Sequence, residues 1–87
     1  MGEEKMSEKL RKIVRINKDN TESIIRLKDL KVGDKFKMYE PTGESLFPEN
    51  NFLHIEVHEL PEKNEKGTWG VIGFPIYIND KINGENR

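Results

Sequence analysis

The fold turns on one stretch, Leu27 to Tyr39, which reads LKDLKVGDKFKMY. In Lys31-Val32-Gly33-Asp34 the glycine takes the third turn position, where a type II turn needs φ > 0 and a side chain is strained. Asp34 follows with a short carboxylate that can accept backbone N–H bonds and hold the turn. Beyond the corner, Phe36 and Met38 alternate with Lys35 and Lys37, the period of a half-buried strand. An apolar lead-in, a Gly-Asp corner and an alternating strand predict a small twisted sheet or barrel.

Upstream, Ile13, Val14 and Ile16 are β-branched and predict a strand starting near Lys12. Asn17-Lys18-Asp19-Asn20 is turn chemistry, and Glu22 to Lys28 reads as the returning strand of a hairpin, with Ile25 and Leu27 on one face. Downstream, Glu40-Pro41-Thr42-Gly43 is a second turn, with Pro41 setting φ at its second position and Gly43 at its fourth. Leu46 and Phe47 allow a short strand before the loop Pro48–Asn51. Phe52 to Leu60, FLHIEVHEL, alternates most cleanly: Leu53, Ile55 and Val57 on one face, His54, Glu56 and His58 on the other. Pro61 to Thr68 reads as a long polar hairpin loop closed by Gly67. Trp69 to Ile78 is the last apolar segment, with Ile72, Phe74, Ile76 and Ile78 predicted as its core face. Gly73 and Pro75 in mid-run call for a bulge, a bend or an edge position, since Pro75 has no N–H for a ladder.

These elements predict an all-β fold, a small antiparallel, SH3-like, partly open barrel of five to seven short strands. Residues 11–79 form the single domain, flanked by flexible tails at 1–10 and 80–87. With 87 residues, 33% apolar and 36% charged, the chain holds one modest core. It has no cysteine, which excludes disulfides and thiolate metal sites. No apolar run approaches the ~20 residues that span a bilayer. The first residues, MGEEKMSEKLRK, lack an apolar signal region, so a cytoplasmic location is expected. Residues 1–39 carry 11 Lys and Arg against 7 Asp and Glu, and residues 40–87 carry 4 against 9. That balance suits neither a uniformly acidic DNA mimic nor a strongly basic nucleic-acid binder.

Leu-Lys-Val-Gly-Asp-Lys-Phe at 30–36 and Gly-Phe-Pro-Ile-Tyr-Ile at 73–78 resemble SH3-like barrels. There a Gly-Asp or Gly-Glu diverging turn precedes a strand, and the chain closes on Gly-x-x-Pro-x-x-Tyr-Val. The spacing around Pro75 is one residue shorter on each side, and the Ala-Leu-Tyr-Asp-Tyr opening and tandem tryptophans of the peptide-binding members are missing. The resemblance implies the barrel and not the proline-rich-ligand groove. Leu30 to Gly43 and Gly67 to Pro75 are also similar to small uncharacterised proteins of bacteriophages and mobile elements. In those a Val-Gly-Asp-x-Phe strand leads into Glu-Pro-x-Gly, and a Gly-x-Trp segment comes near the end.

Three sets of side chains are candidates for function. Trp69, Tyr77 and Phe47 are candidate protein-binding anchors, since aromatic residues dominate binding hot spots. Arg26, Lys28, Lys35 and Lys37, with Tyr39 nearby, form a candidate nucleic-acid stripe on two consecutive strands. His54, Glu56 and His58 lie ~6.8 Å apart in sequence along one strand face. Neighbours there can share a metal ion, but a further ligand from another strand is not identifiable, so no metal and no cofactor are expected. Nothing resembles a nucleophile elbow, a P-loop or a catalytic dyad. The sequence therefore predicts a non-enzymatic binding module, a phage-type accessory or inhibitor protein that docks on another protein. The alternative is a small nucleic-acid-binding barrel.

Overall fold

The computed structural model describes residues 3–78. It is all-β: six antiparallel strands in one sheet, with no α-helix among the described residues. The strands are β1 (Glu4–Ser7), β2 (Lys12–Ile16), β3 (Glu22–Ile25), β4 (Lys35–Tyr39), β5 (Phe52–Lys63) and β6 (Trp69–Tyr77). Their order across the sheet is β1-β6-β5-β4-β2-β3. No ladder joins β1 to β3, so the sheet is open.

The corner forms as its residues demand. Gly33 has φ +91°, the Asp34 N–H donates to the Lys31 carbonyl at 2.9 Å, and the Lys31 N–H donates to Asp34 Oδ2 at 2.9 Å. The corner is then tied to β5, because Gly33 N–H reaches the Val57 carbonyl and Val57 N–H reaches the Asp34 carbonyl. Past it, Phe36 and Met38 are fully buried while Lys35 and Lys37 turn to the opposite face.

One face of the sheet carries the core. Met6 of β1, Ile13 of β2, Phe36 and Met38 of β4, Ile55 and Val57 of β5 and Val71 of β6 form one cluster with Leu27 and Leu30. Each such side chain taken from water contributes about 1.5–3 kcal/mol. Leu27 and Leu30 cover the cluster from a 3₁₀ turn, Leu27–Asp29, which packs on β5 and β6.

Three hairpin loops share one design. At Asn17–Thr21, Glu40–Glu44 and Asn64–Thr68 the first residue's N–H donates to the fifth residue's carbonyl, and the fourth residue's N–H returns to the first carbonyl. The fourth residue has positive φ each time: Asn20 (+69°), Gly43 (+99°) and Gly67 (+85°). This is a type I turn followed by a left-handed residue.

The structure departs from several expectations. Residues 1–10 were expected as a loose tail, yet Glu4–Ser7 pairs with Gly70–Gly73 of β6 and buries Met6. An edge strand needs only one inward apolar residue, so the charges around Met6 hide it. The returning strand β3 ends at Ile25 and not Lys28, because the chain turns to put Leu27 into the core. Leu46 and Phe47 form no strand: the segment makes an isolated bridge, Tyr39 to Ser45, and a bond from Leu46 N–H to the Met38 carbonyl. Strand β5 continues through Pro61 to Lys63, which shortens the expected loop.

Two faces also change. Leu53 is 41% exposed instead of joining Ile55 and Val57, because the β5–β6 register shifts between Phe52 and His54. On β6 the inward residues are Val71 and Gly73, whereas Ile72, Phe74 and Ile76 are only partly buried. Space decides this reversal. A Cβ at Gly73 would lie 2.8 Å from the Glu56 carbonyl oxygen and 2.9 Å from Ile55 Cγ2, so no larger side chain fits there. β1 begins opposite Gly73, so among the described residues no strand pairs with Pro75 on that side, which suits its missing N–H. Residues 80–87, expected as a flexible tail, lie outside the described residues.

Candidate binding groove

β1, β5 and β6 run on together beyond the corner, and a half-open cavity of about 550 Å³ lies against them. Met6 and Val71 reach it from the core, joined by Trp69, Leu46 and Phe47, and Arg11 and Leu60 add to the lining. Each apolar group arrives there for a local reason. Trp69 opens β6 directly after the Asn64–Thr68 turn, with its ring under the Lys63 ammonium at 5.9 Å. Leu60 falls in a register shift of β5, between Glu59 and Glu62, and is 61% exposed. Leu46 is held by its N–H bond to Met38, and the Ser45 hydroxyl donates to the Phe47 carbonyl at 3.0 Å.

Arg11 is fixed beside the groove. Its Nε donates to Glu40 Oε1 at 3.0 Å and its Nη1 to the Ser7 carbonyl at 3.0 Å. Acidic Glu4, Glu59 and Glu62 and basic Lys5, Arg11 and Lys63 share the lining, so the groove has no single sign of charge.

Of the three expected anchors, Phe47 and Trp69 line this groove and Tyr77 does not. Tyr77 meets Phe52 edge-on with centroids 5.7 Å apart, and Phe52 stacks on Phe47 at 5.1 Å. An aromatic row thus runs from the groove to the far end of β6. Burial, with the Glu49 carboxylate next, pushes the Tyr77 phenol above its usual pKa. All three anchors are partly buried, and Phe47 and Trp69 pack against the core as well. Leu60 and Arg11 escaped the sequence reading. The one signal in the sequence was an apolar Leu60 directly before Pro61 at the end of an alternating run, and Arg11 carried none.

The basic residues do not form one free stripe. Arg26 is engaged by Glu8, Lys28 Nζ lies 3.8 Å from Asp29, and Lys37 Nζ lies 3.9 Å from Glu22. Lys35 stands opposite Glu56 in the β4–β5 ladder. Arg26 and Lys28 lie outside any strand, and the outward face near Lys35 and Lys37 adds Lys12, whose Nζ is 5.3 Å from the Tyr39 ring centre.

The metal candidates separate too. His58 Nε2 lies 2.8 Å from Glu3 Oε2, and the donor atoms that gather within 4.8 Å of one another are those of Glu3, His58 and Glu59, not His54 and Glu56. All three are exposed. His58 also leans on Phe74 with ring centres 4.7 Å apart. Burial, then the Lys35 ammonium, holds the His54 imidazole below its ordinary pKa, which favours its neutral form at pH 7.

No family model, no curated protein and no solved structure matches the chain. Among the described residues no helix is long and apolar enough to cross a membrane.

Proposed function

We propose that this protein is a non-enzymatic binding module that docks on another protein through the groove lined by Trp69, Phe47, Leu46 and Leu60. In this reading the curled sheet serves as an SH3-like, partly open barrel, and the chain acts as a phage-type accessory or inhibitor protein. One observation carries the reading: Trp69, Phe47 and Leu46 pack against the core on one side and are left only partly buried, and with the 61% exposed Leu60 they line a half-open cavity of about 550 Å³. Aromatic anchors beside a desolvated pocket are what hot spots consist of. The acidic neighbours of Arg26, Lys28, Lys35 and Lys37 weigh against the alternative, a nucleic-acid-binding face.

The chain has a single tryptophan, so its fluorescence reports on the groove. Peptides selected from a random display library on the wild-type protein should shift Trp69 emission on titration. Leu60→Asp should abolish that binding and leave the denaturation midpoint unchanged, because Leu60 is mostly exposed. Peptides that bind without moving Trp69, or that bind Leu60→Asp equally well, would remove the groove from the reading. Oligonucleotide binding at low salt that is tight and falls steeply with added salt would replace it with the nucleic-acid alternative.

A further inference from the structure

We propose that β3 is a self-pairing edge: two copies of the chain join antiparallel along β3, with the two-fold axis at Ile24. This interaction surface is separate from the groove. Among the described residues β3 is the last strand of the sheet order and has a ladder on one side only. Its hydrogen-bond phase follows from the hairpin. Asn17 N–H donates to the Thr21 carbonyl, so Asn17 and Thr21 are a bonded pair. Bonded pairs recur at every second position, which places Arg15 with Ser23 and Ile13 with Ile25. The N–H and C=O groups of Glu22 and Ile24 therefore point away from β2, to the open edge.

Side chains then select the register. With the axis at Ile24, each Ile24 exchanges both backbone bonds with its counterpart, and each Glu22 stands opposite the other copy's Arg26. An axis at Glu22 sets two carboxylates against each other, and one at Ser23 sets Glu22 against Ile24. Opposite charges facing each other across strands are favourable and like charges are not. Only the axis at Ile24 matches apolar to apolar and acid to base.

The side chains are available for this contact. Ile24 is 73% exposed, an unusual setting for an isoleucine in mid-strand. Arg26 keeps a 60% exposed side chain and bonds Glu8 through Nε and Nη2, which leaves Nη1 for the Glu22 of a second copy. Among the described residues Glu22 is held only by Lys37 at 3.9 Å. The product is one continuous twelve-stranded sheet, isologous as a two-fold requires. The paired segment is short, so the dimer is weak.

Sedimentation velocity of the full chain, over about 10 µM to about 1 mM, covers the affinity range of so small a contact. The expected result is a concentration-dependent monomer–dimer equilibrium. Ile24→Lys should raise the dissociation constant roughly tenfold or more, since it sets two ammonium groups together at the axis. Glu22→Lys should also weaken the dimer, by opposing Arg26. A wild-type chain monomeric throughout, or a dimer that Ile24→Lys leaves intact, overturns the proposal. A dilution series of amide NMR spectra on the wild-type chain decides independently of any variant. Shifts at Glu22 and Ile24 support the pairing, and dimerisation that moves only other amides overturns it.

Discussion

Glu8 and Arg26 bridge the gap that the strand ladders leave open. Glu8 follows β1, at one edge of the sheet, and Arg26 follows β3, at the other. Arg26 Nε donates to Glu8 Oε2 at 2.8 Å and Nη2 to Oε1 at 3.0 Å, a two-pronged bond, and the Leu27 N–H adds 3.1 Å to Oε2. The Glu8 N–H meanwhile continues the β1–β6 ladder to the Trp69 carbonyl. Glu8 is only 6% exposed and so sits buried as a carboxylate, satisfied by these donors. The pair holds the two edges together and fixes the 3₁₀ turn that delivers Leu27 to the core.

Removing this clasp should destabilise the fold. Glu8→Ala is expected to cost about 1–2 kcal/mol, below the loss for a fully buried pair because solvent screens the exposed guanidinium. Arg26→Ala should also destabilise, by leaving the buried carboxylate with the Leu27 N–H alone. The double variant should then be no worse than Arg26→Ala. Urea denaturation of the set measures this, and simple additivity would show that the two residues do not act as a unit.

The same pair gives stability a pH dependence of known sign. The Arg26 hydrogen bonds hold the Glu8 carboxyl below its ordinary pKa, against the opposing effect of burial. Its contribution is complete above the usual carboxylate range and is lost as pH falls through the lowered value. Asp19, lowered by its bonds from Thr21, acts in the same direction. Melting temperature should therefore drop as the solution is acidified below about pH 4.5, and Glu8→Gln should flatten that drop without removing it. His54 adds a separate, gentler step. Its pKa is lowered, so its stabilisation is present above about 6.5 and declines as pH falls through the folded value.

Much of the fold was legible because its signals are local. Gly33 and Asp34 dictate their corner within four residues, and Phe36 and Met38 declare their face by simple alternation. Other features depend on distant partners. Glu8 and Arg26 are 18 residues apart, and nothing near either one marks a pair. Met6 is a lone inward residue whose strand exists only through β6. On β6, bulk suggested Ile72, Phe74 and Ile76 as the core face, whereas the room left beside Ile55 and Glu56 chose Gly73. For the groove, Trp69 and Phe47 were nameable as candidates from the sequence and Tyr77 lies elsewhere, while Leu60 and Arg11 enter it through a register shift and an ion pair.

Two glycines should fail for different reasons. At Gly73 an added Cβ meets backbone and Ile55 below 3.0 Å, so Gly73→Ala overpacks the β5–β6 ladder and should cost about 1–3 kcal/mol. At Gly33 nothing lies within 4 Å of the new Cβ, and only the positive φ opposes it. Gly33→Ala should cost about 1 kcal/mol, and Gly33→Val more, because a β-branched residue tolerates that backbone worst. Chemical denaturation of the variants checks the order. An unchanged midpoint for Gly33→Val would contradict the type II turn.

The paired loops offer a stabilising change. Asn17-Lys18-Asp19-Asn20-Thr21 and Asn64-Glu65-Lys66-Gly67-Thr68 close with the same two backbone bonds and place their fourth residue at φ +69° and +85°. In the second loop Asn64 Oδ1 accepts the Lys66 and Thr68 N–H groups; in the first, Asp19 Oδ1 takes the Thr21 N–H and Asn17 Nδ2 donates to Ser23 and Thr21. Asn20 makes no side-chain bond among these, so its amide contributes nothing that glycine would forfeit. Asparagine tolerates the left-handed region better than most residues, but glycine holds it without a Cβ clash. Glycine also gains freedom in the unfolded chain, which offsets part of the benefit. The net expectation for Asn20→Gly is a stabilisation of a few tenths of a kcal/mol, up to about 0.5. The converse, Gly67→Asn, should destabilise by a similar amount. Thermal melts of the two variants beside wild type measure both, and a loss of stability in Asn20→Gly would show that its side chain anchors the loop.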